Sequence, residues 1–216
     1  MKINCTKSNT ANNQKVLLQN RGFSLVEILV AVSVLSILVI VVGAFQRDVF
    51  FLGSVLRGSA STAQDARSIM RTMTKELREA APSSNGSYVI ESAATSSIVF
   101  YADIDTDTQR ERVRYFIVGR ELRKGIIQPT GNPVTYPTNT ETFTILASTI
   151  FPTTSPAFRY YDSSYAGTST SMTYPIDTAR IRLVRFDLLL DLDANRSPVP
   201  RSYTTQVSIR NLKDNL

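Results

Sequence analysis

Acidic side chains stand in two places where chemistry could use them. Asp103-Ile104-Asp105-Thr106-Asp107 sets carboxylates at alternate positions, the spacing that opens a calcium-binding loop. Its sixth position is Thr108 where an EF-hand has glycine, and its twelfth is Arg114 where an EF-hand has a bidentate glutamate. Asp191-Leu192-Asp193-Ala194-Asn195 has the same texture. Aspartate and asparagine between strands also make turns without any metal, so a plain turn and a calcium site stand as two readings of Asp103, Asp105 and Asp107. The second place holds a single acid. Glu27 is the only residue able to carry a charge among residues 23–45.

Other chemistries lack their residues. The chain has no histidine and no tryptophan, and Cys5 is its one cysteine. Zinc sites of the usual His/Cys kind and histidine-based triads are therefore excluded. No acid–base pair, glycine-rich phosphate loop or nucleophile elbow is found, and the expectation is a protein that is not an enzyme. No organic cofactor is implied, and calcium is the one ion the acidic loop could take.

The element that must position Glu27 is the apolar run that follows it. Residues 28–45 are 18 in number and carry no charge, close to the ~20 residues that a helix needs to cross a bilayer. A carboxylate at the mouth of that run costs on the order of 3 kcal/mol to bury in lipid, so it demands a partner. The run itself offers none, which points to another chain. Residues 1–22 carry Lys2, Lys7, Lys15 and Arg21 and no acid, which by the positive-inside rule holds the N-terminus in the cytoplasm and sends the body outward. A cleaved secretory signal ending at Val42-Gly43-Ala44 is the rival reading, but its apolar core should be only about 7–15 residues long. Cys5 precedes the apolar segment, the wrong order for a lipoprotein.

Arg21-Gly22-Phe23-Ser24-Leu25-Val26-Glu27, with a basic leader before it and the apolar run after it, resembles the processing site of type IV prepilins and type II secretion pseudopilins. The resemblance implies cleavage after Gly22 by prepilin peptidase, N-methylation of Phe23 and a subunit-assembly role for Glu27. It implies as partners the peptidase, other pilin or pseudopilin subunits and an inner-membrane assembly platform. Arg71-Thr72-Met73-Thr74-Lys75-Glu76-Leu77-Arg78 is similar to the same helix in PilW-like minor pilins and J-type pseudopilins. Many major pilins carry a C-terminal disulfide, and a chain without its leader would here hold no cysteine, which favours a minor subunit. Where major pilins usually place a helix proline, this chain has Ala44 after Gly43.

Beyond the span, Val49, Leu52, Val55 and Leu56 and then Ala63, Ala66, Ile69, Met70, Met73, Leu77 and Ala80 recur at helical spacing. Ile69, Met70, Met73 and Leu77 read as core. Pro82-Ser83-Ser84-Asn85-Gly86 ends the helix. From Ser87 onward the texture is short alternating runs at 88–90, 97–101, 113–118, 142–146, 157–161, 179–190 and 203–210, which predict strands. Gly125, Gly131 and residues 163–171 predict loops, and a shifted alternation across Ile181, Leu183 and Phe186 predicts a bulge or burial on two sides. The fold class is α+β: a long N-terminal helix, membrane-spanning in its first half, packed on a C-terminal antiparallel sheet. The expected divisions are leader 1–22, transmembrane half 23–45, amphipathic half 46–81 and extracytoplasmic body 82–216.

Net charge is +6, but without the leader 20 basic and 18 acidic residues remain, a balance of +2 that gives no electrostatic case for nucleic acid. Arg110, Arg112, Arg114, Arg120, Arg123 and Lys124 form a basic cluster around Tyr115 and Phe116, yet Glu111 and Glu121 are interspersed. Alternating charges of this kind solvate the outer face of a strand. A single-pass anchored binding protein with a β-rich extracytoplasmic domain is the alternative to the filament subunit.

Overall fold

The computed structural model describes residues 22–105, 107–191 and 200–212. Residues 1–21 of the leader, with Cys5, and the second acidic stretch apart from Asp191 lie outside the described residues. Among the described residues, one α-helix, α1 (Leu25–Arg78), is followed by eight strands. The chain divides into two compact units, Met1–Phe50 and Phe51–Leu216, and α1 contributes to both.

In the first unit α1 starts where the Ser24 carbonyl accepts from the N–H groups of Glu27 (3.0 Å) and Ile28 (3.2 Å). Glu27 lies in the first turn, where a negative charge is favoured by the helix dipole. The Ser33 and Ser36 hydroxyls donate to the carbonyls of Leu29 (2.8 Å) and Val32 (2.7 Å), one turn back. Hydroxyls in an apolar stretch are thereby satisfied by their own backbone.

In the second unit α1 acquires a buried stripe. Ala66, Ile69, Met70, Met73 and Leu77 enter the core, as their spacing predicts, whereas Leu52 and Leu56 stay exposed. The stripe thus begins later than the sequence periodicity does. Lys75 and Arg78 complement the C-terminal end of the dipole. Just past the helix, the Asn211 side-chain amide donates to the Ala80 carbonyl (2.8 Å), and Ala81 N–H donates to the Tyr101 carbonyl (2.9 Å).

Two antiparallel sheets replace the single one that the strand pattern suggested. The first is a five-stranded meander: β1 (Ile90–Ala93), β2 (Ser97–Ala102), β3 (Glu111–Val118), β4 (Glu121–Ile127) and β5 (Thr142–Ala147), paired in chain order. The second holds β6 (Phe158–Tyr161), β7 (Leu183–Leu190) and β8 (Arg201–Ser208), also in order. The buried Tyr160 ties them, its hydroxyl lying 2.9 Å and 3.0 Å from the carbonyls of Ala94 and Ser97 beside the first sheet. Ile98, Phe100, Val113, Tyr115 and Leu122 share one core cluster with Phe158, Val184, Phe186 and Leu188 and with the helix stripe.

Three strand expectations change. β1 begins at Ile90, so Tyr88 and Val89 of the strand expected at 88–90 precede it. β4 is charge-rich and contains Gly125, read from sequence as a loop, yet Gly125 pairs with Arg114 on one side and Phe143 on the other. A Cβ at Gly125 would come within 2.9 Å of the Glu141 carboxyl carbon, so the glycine is what admits that side chain. Glu141 then grips Arg114 through both guanidinium bonds (2.7 Å and 2.5 Å). β7 has neither shift nor bulge. Val184, Phe186, Leu188 and Leu190 alternate inward without a break, Leu183 faces the other way, and Ile181 caps the preceding turn, Thr178–Arg180.

Candidate functional site

The N-terminal residues are the first candidate. Gly22, Phe23 and Ser24 precede the helix, so the Gly22–Phe23 peptide bond lies in non-helical backbone, and Phe23 is 75% exposed. A peptidase needs such an accessible bond, because helical backbone must unwind before it can enter a cleft. Glu27 is exposed one turn into the helix, and all side chains of residues 22–52 are exposed. By length and composition this part of α1 is able to cross a membrane. Apolar side chains at such density on every face of a helix are those of a segment surrounded by lipid or by other helices.

Residues 17–43 match the family described as the prokaryotic N-terminal methylation motif. The chain carries a prepilin-like motif. That match takes in Gly22, Phe23 and Glu27, supports a type IV pilin-like family and ends before the β unit begins. Such a motif implies processing by prepilin peptidase and assembly with other pilins, and with the apolar helix it suggests membrane anchoring. No curated protein matches the chain.

The second candidate is the β2–β3 hairpin loop. It brings together Asp103, Asp105 and Glu111, one carboxylate oxygen of each lying within 4.8 Å of the others. Asp107, the third acid of the sequence pattern, falls outside this set: its Oδ1 accepts from Gln109 N–H (2.8 Å) in a local turn. Glu111 takes its place because β3 begins there and points its side chain inward, opposite Ala102. Burial pushes the Glu111 carboxyl above the usual carboxylate range, and the charges of Asp105 and Asp107 push the same way. Sequence reading passed over Glu111 because it sits in a run of arginines; its place nine residues into the loop was the available signal.

Five of the six cations in the basic cluster are engaged within the chain. Arg112 forks onto Glu91 (2.6 Å and 2.7 Å), Arg114 onto Glu141, and Arg123 meets Glu121 (2.6 Å). Arg120 donates to the Asp191 carbonyl (3.0 Å). Lys124 reaches inward to Glu76 of α1 (2.6 Å), which also accepts from the Tyr115 hydroxyl (2.7 Å). Burial and the Glu76 charge drive the Tyr115 phenol well above the usual tyrosine range. These cations hold strands and helix together.

A surface pocket of about 430 Å³ lies beside the β6–β7 connection and is lined by Tyr161, Asp162, Tyr165, Met172 and Arg180 among others. Asp162 and Arg180 are bonded to each other there (2.7 Å).

Proposed function

We propose that this chain is a minor prepilin or pseudopilin, a non-catalytic structural subunit of a type IV pilus or type II secretion pseudopilus, placed at the filament tip. Its leader and apolar segment insert into the bacterial inner membrane with the N-terminus in the cytoplasm. Prepilin peptidase then breaks the Gly22–Phe23 bond, and the freed Phe23 amine is methylated. The observation that carries this reading is the methylation motif at residues 17–43, whose glycine and phenylalanine fall in the exposed backbone just before α1.

Once cut, the chain presents a positive amine four residues from Glu27. In a bundle of apolar helices the Glu27 carboxylate of one subunit pairs with the terminal amine of a neighbour. Each charge alone costs several kcal/mol to bury, on the order of the penalty for any ion taken out of water. The pair forms only at one axial offset, which fixes the register of the subunits. The Arg71–Arg78 similarity and the single leader cysteine support the minor rank.

The test is a full-length chain with Gly22→Ala, expressed in cells with and without prepilin peptidase. The expected result is loss of the 22-residue leader from the unsubstituted chain, with one added methyl group by intact mass, and retention of the leader in the variant. A native membrane-bound chain that still begins at Met1 in cells with an active peptidase would overturn the reading in favour of a single-pass anchored protein.

A further inference from the structure

Glu111 is completely buried, and its two oxygens are in different situations. Oε2 accepts from Ile104 N–H at 2.9 Å. Oε1 is buried with no hydrogen-bond partner. An orphaned buried acceptor of this kind loses the free energy of its hydration, and in native proteins it calls for a specific reason. Its surroundings make the case stronger: Glu111 shares the 4.8 Å cluster with Asp103 and Asp105.

We propose that Asp103, Asp105 and Glu111 bind one calcium ion at the β2–β3 hairpin. A calcium ion holds oxygens at 2.3–2.6 Å, so its ligands lie on a sphere roughly 5 Å across, and the 4.8 Å spread of the three oxygens fits within it. Carboxylates are the hard donors that such an ion takes, and an irregular loop suits its tolerant geometry, whereas magnesium demands a near-ideal octahedron. The ion would give Glu111 Oε1 its missing partner and cancel the repulsion among three close acids.

The described residues around the cluster have the matching backbone. Counting Asp103 as the first position, Asp105 is the third and Glu111 the ninth, all of them ligand positions in a calcium loop. Thr108, at the sixth position, has φ of 75°, the left-handed conformation for which such loops use glycine, and its N–H donates to Asp103 Oδ2 (3.1 Å). Asp105 is further placed by Asp107 N–H at Oδ1 (3.3 Å) and by Gln128 Nε2 at Oδ2 (3.5 Å). The twelfth position, Arg114, is engaged with Glu141 and supplies no ligand. Affinity therefore belongs in the weak range of extracellular modules, with Kd of about 0.1–1 mM. This site goes beyond the filament reading and does not rest on it.

The experiment is calorimetric titration of the full chain in detergent micelles, stripped of divalent ions by a chelator, with calcium chloride, paired with thermal unfolding. One saturable site is expected, with unfolding raised by about 3–6 °C at roughly tenfold excess of calcium over Kd. Asp105→Asn, at an exposed position, and Glu111→Gln should each weaken binding at least about tenfold, while Asp107→Asn binds as the native chain does. If Glu111→Gln fails to fold, Asp105→Asn carries the test alone. Absence of saturable binding up to 10 Kd of the expected range, equal competition by magnesium, or unchanged binding in Asp105→Asn would overturn the proposal. So would unfolding that responds to pH but not to calcium, since a proton would then be the partner of Glu111.

Discussion

Glu27 and Glu76 are carboxylates on the same helix, and they are treated in opposite ways. Glu76 is buried and met within its own chain by the Lys124 ammonium and the Tyr115 hydroxyl. Glu27 is exposed in a predominantly apolar stretch that holds no other charge from residue 23 to residue 45. A buried acid with its partners on the adjoining sheet stabilises one arrangement of one molecule. On the proposed filament reading, Glu27 enters lipid, takes its partner from another molecule and serves the association of several. On that reading Glu76 is structural charge, and Glu27, for which no partner is seen among the described residues, is charge held for assembly.

The comparison breaks first at Lys124. Lys124→Ala leaves the Glu76 charge buried beside the phenol alone, and the β unit should lose about 3–5 kcal/mol of stability, read by urea unfolding of the detergent-solubilised chain. Adding Glu76→Gln should restore part of that loss, because the neutral amide removes the uncompensated charge. If the single and double variants lose the same amount, the pair is not the source of the effect.

A smaller effect belongs to Glu91, a half-exposed acid also satisfied within the chain. The Arg112 fork, aided by the Tyr101 hydroxyl, holds its carboxyl below the ordinary glutamate value of 4.5. The folded value is the lower one, so the pair's contribution is present above pH 4.5 and fades as pH falls through the folded value. Partial exposure limits it to under about 1 kcal/mol. The acid side of the stability–pH curve should therefore flatten in Glu91→Gln, measured by unfolding between pH 3 and about pH 6.

The smallest effect on stability should come from Glu27→Ala. Unfolding of the β unit should shift by no more than about 0.5 kcal/mol, as for an exposed side chain. Incorporation into filaments, measured by shearing and immunoblot, should nonetheless fall to background. Normal incorporation of that variant would remove the contrast between the two glutamates.

How far the sequence discloses these arrangements differs by region. Helical spacing from Ala66 to Leu77 places the buried stripe because a helix repeats its contacts locally, although the helix ends at Arg78, short of the Ala81 end expected before Pro82. The N-terminal motif is contiguous and is legible for the same reason. Glu76 stands in the string that resembles minor pilins, yet its partners are 39 and 48 residues away on β3 and β4, a pairing that only the sheet register creates. Gly125 reads as a loop because its purpose is the room it leaves for a residue on the next strand. Glu111 is masked in the same manner: alternate aspartates draw the eye to Asp107, while the hairpin closes on the acid that opens β3.

Ser33 and Ser36 turn their hydroxyls back onto the helix backbone, so neither projects a free donor toward a neighbour. A second rod sliding alongside residues 28–45 would feel much the same pull of dispersion at every step, with no polar ridge to catch on. On the filament reading, Glu27 is then the single notch on a smooth shaft. Exchanges among aliphatic side chains further along should be tolerated freely, because they leave the place where sliding stops unchanged.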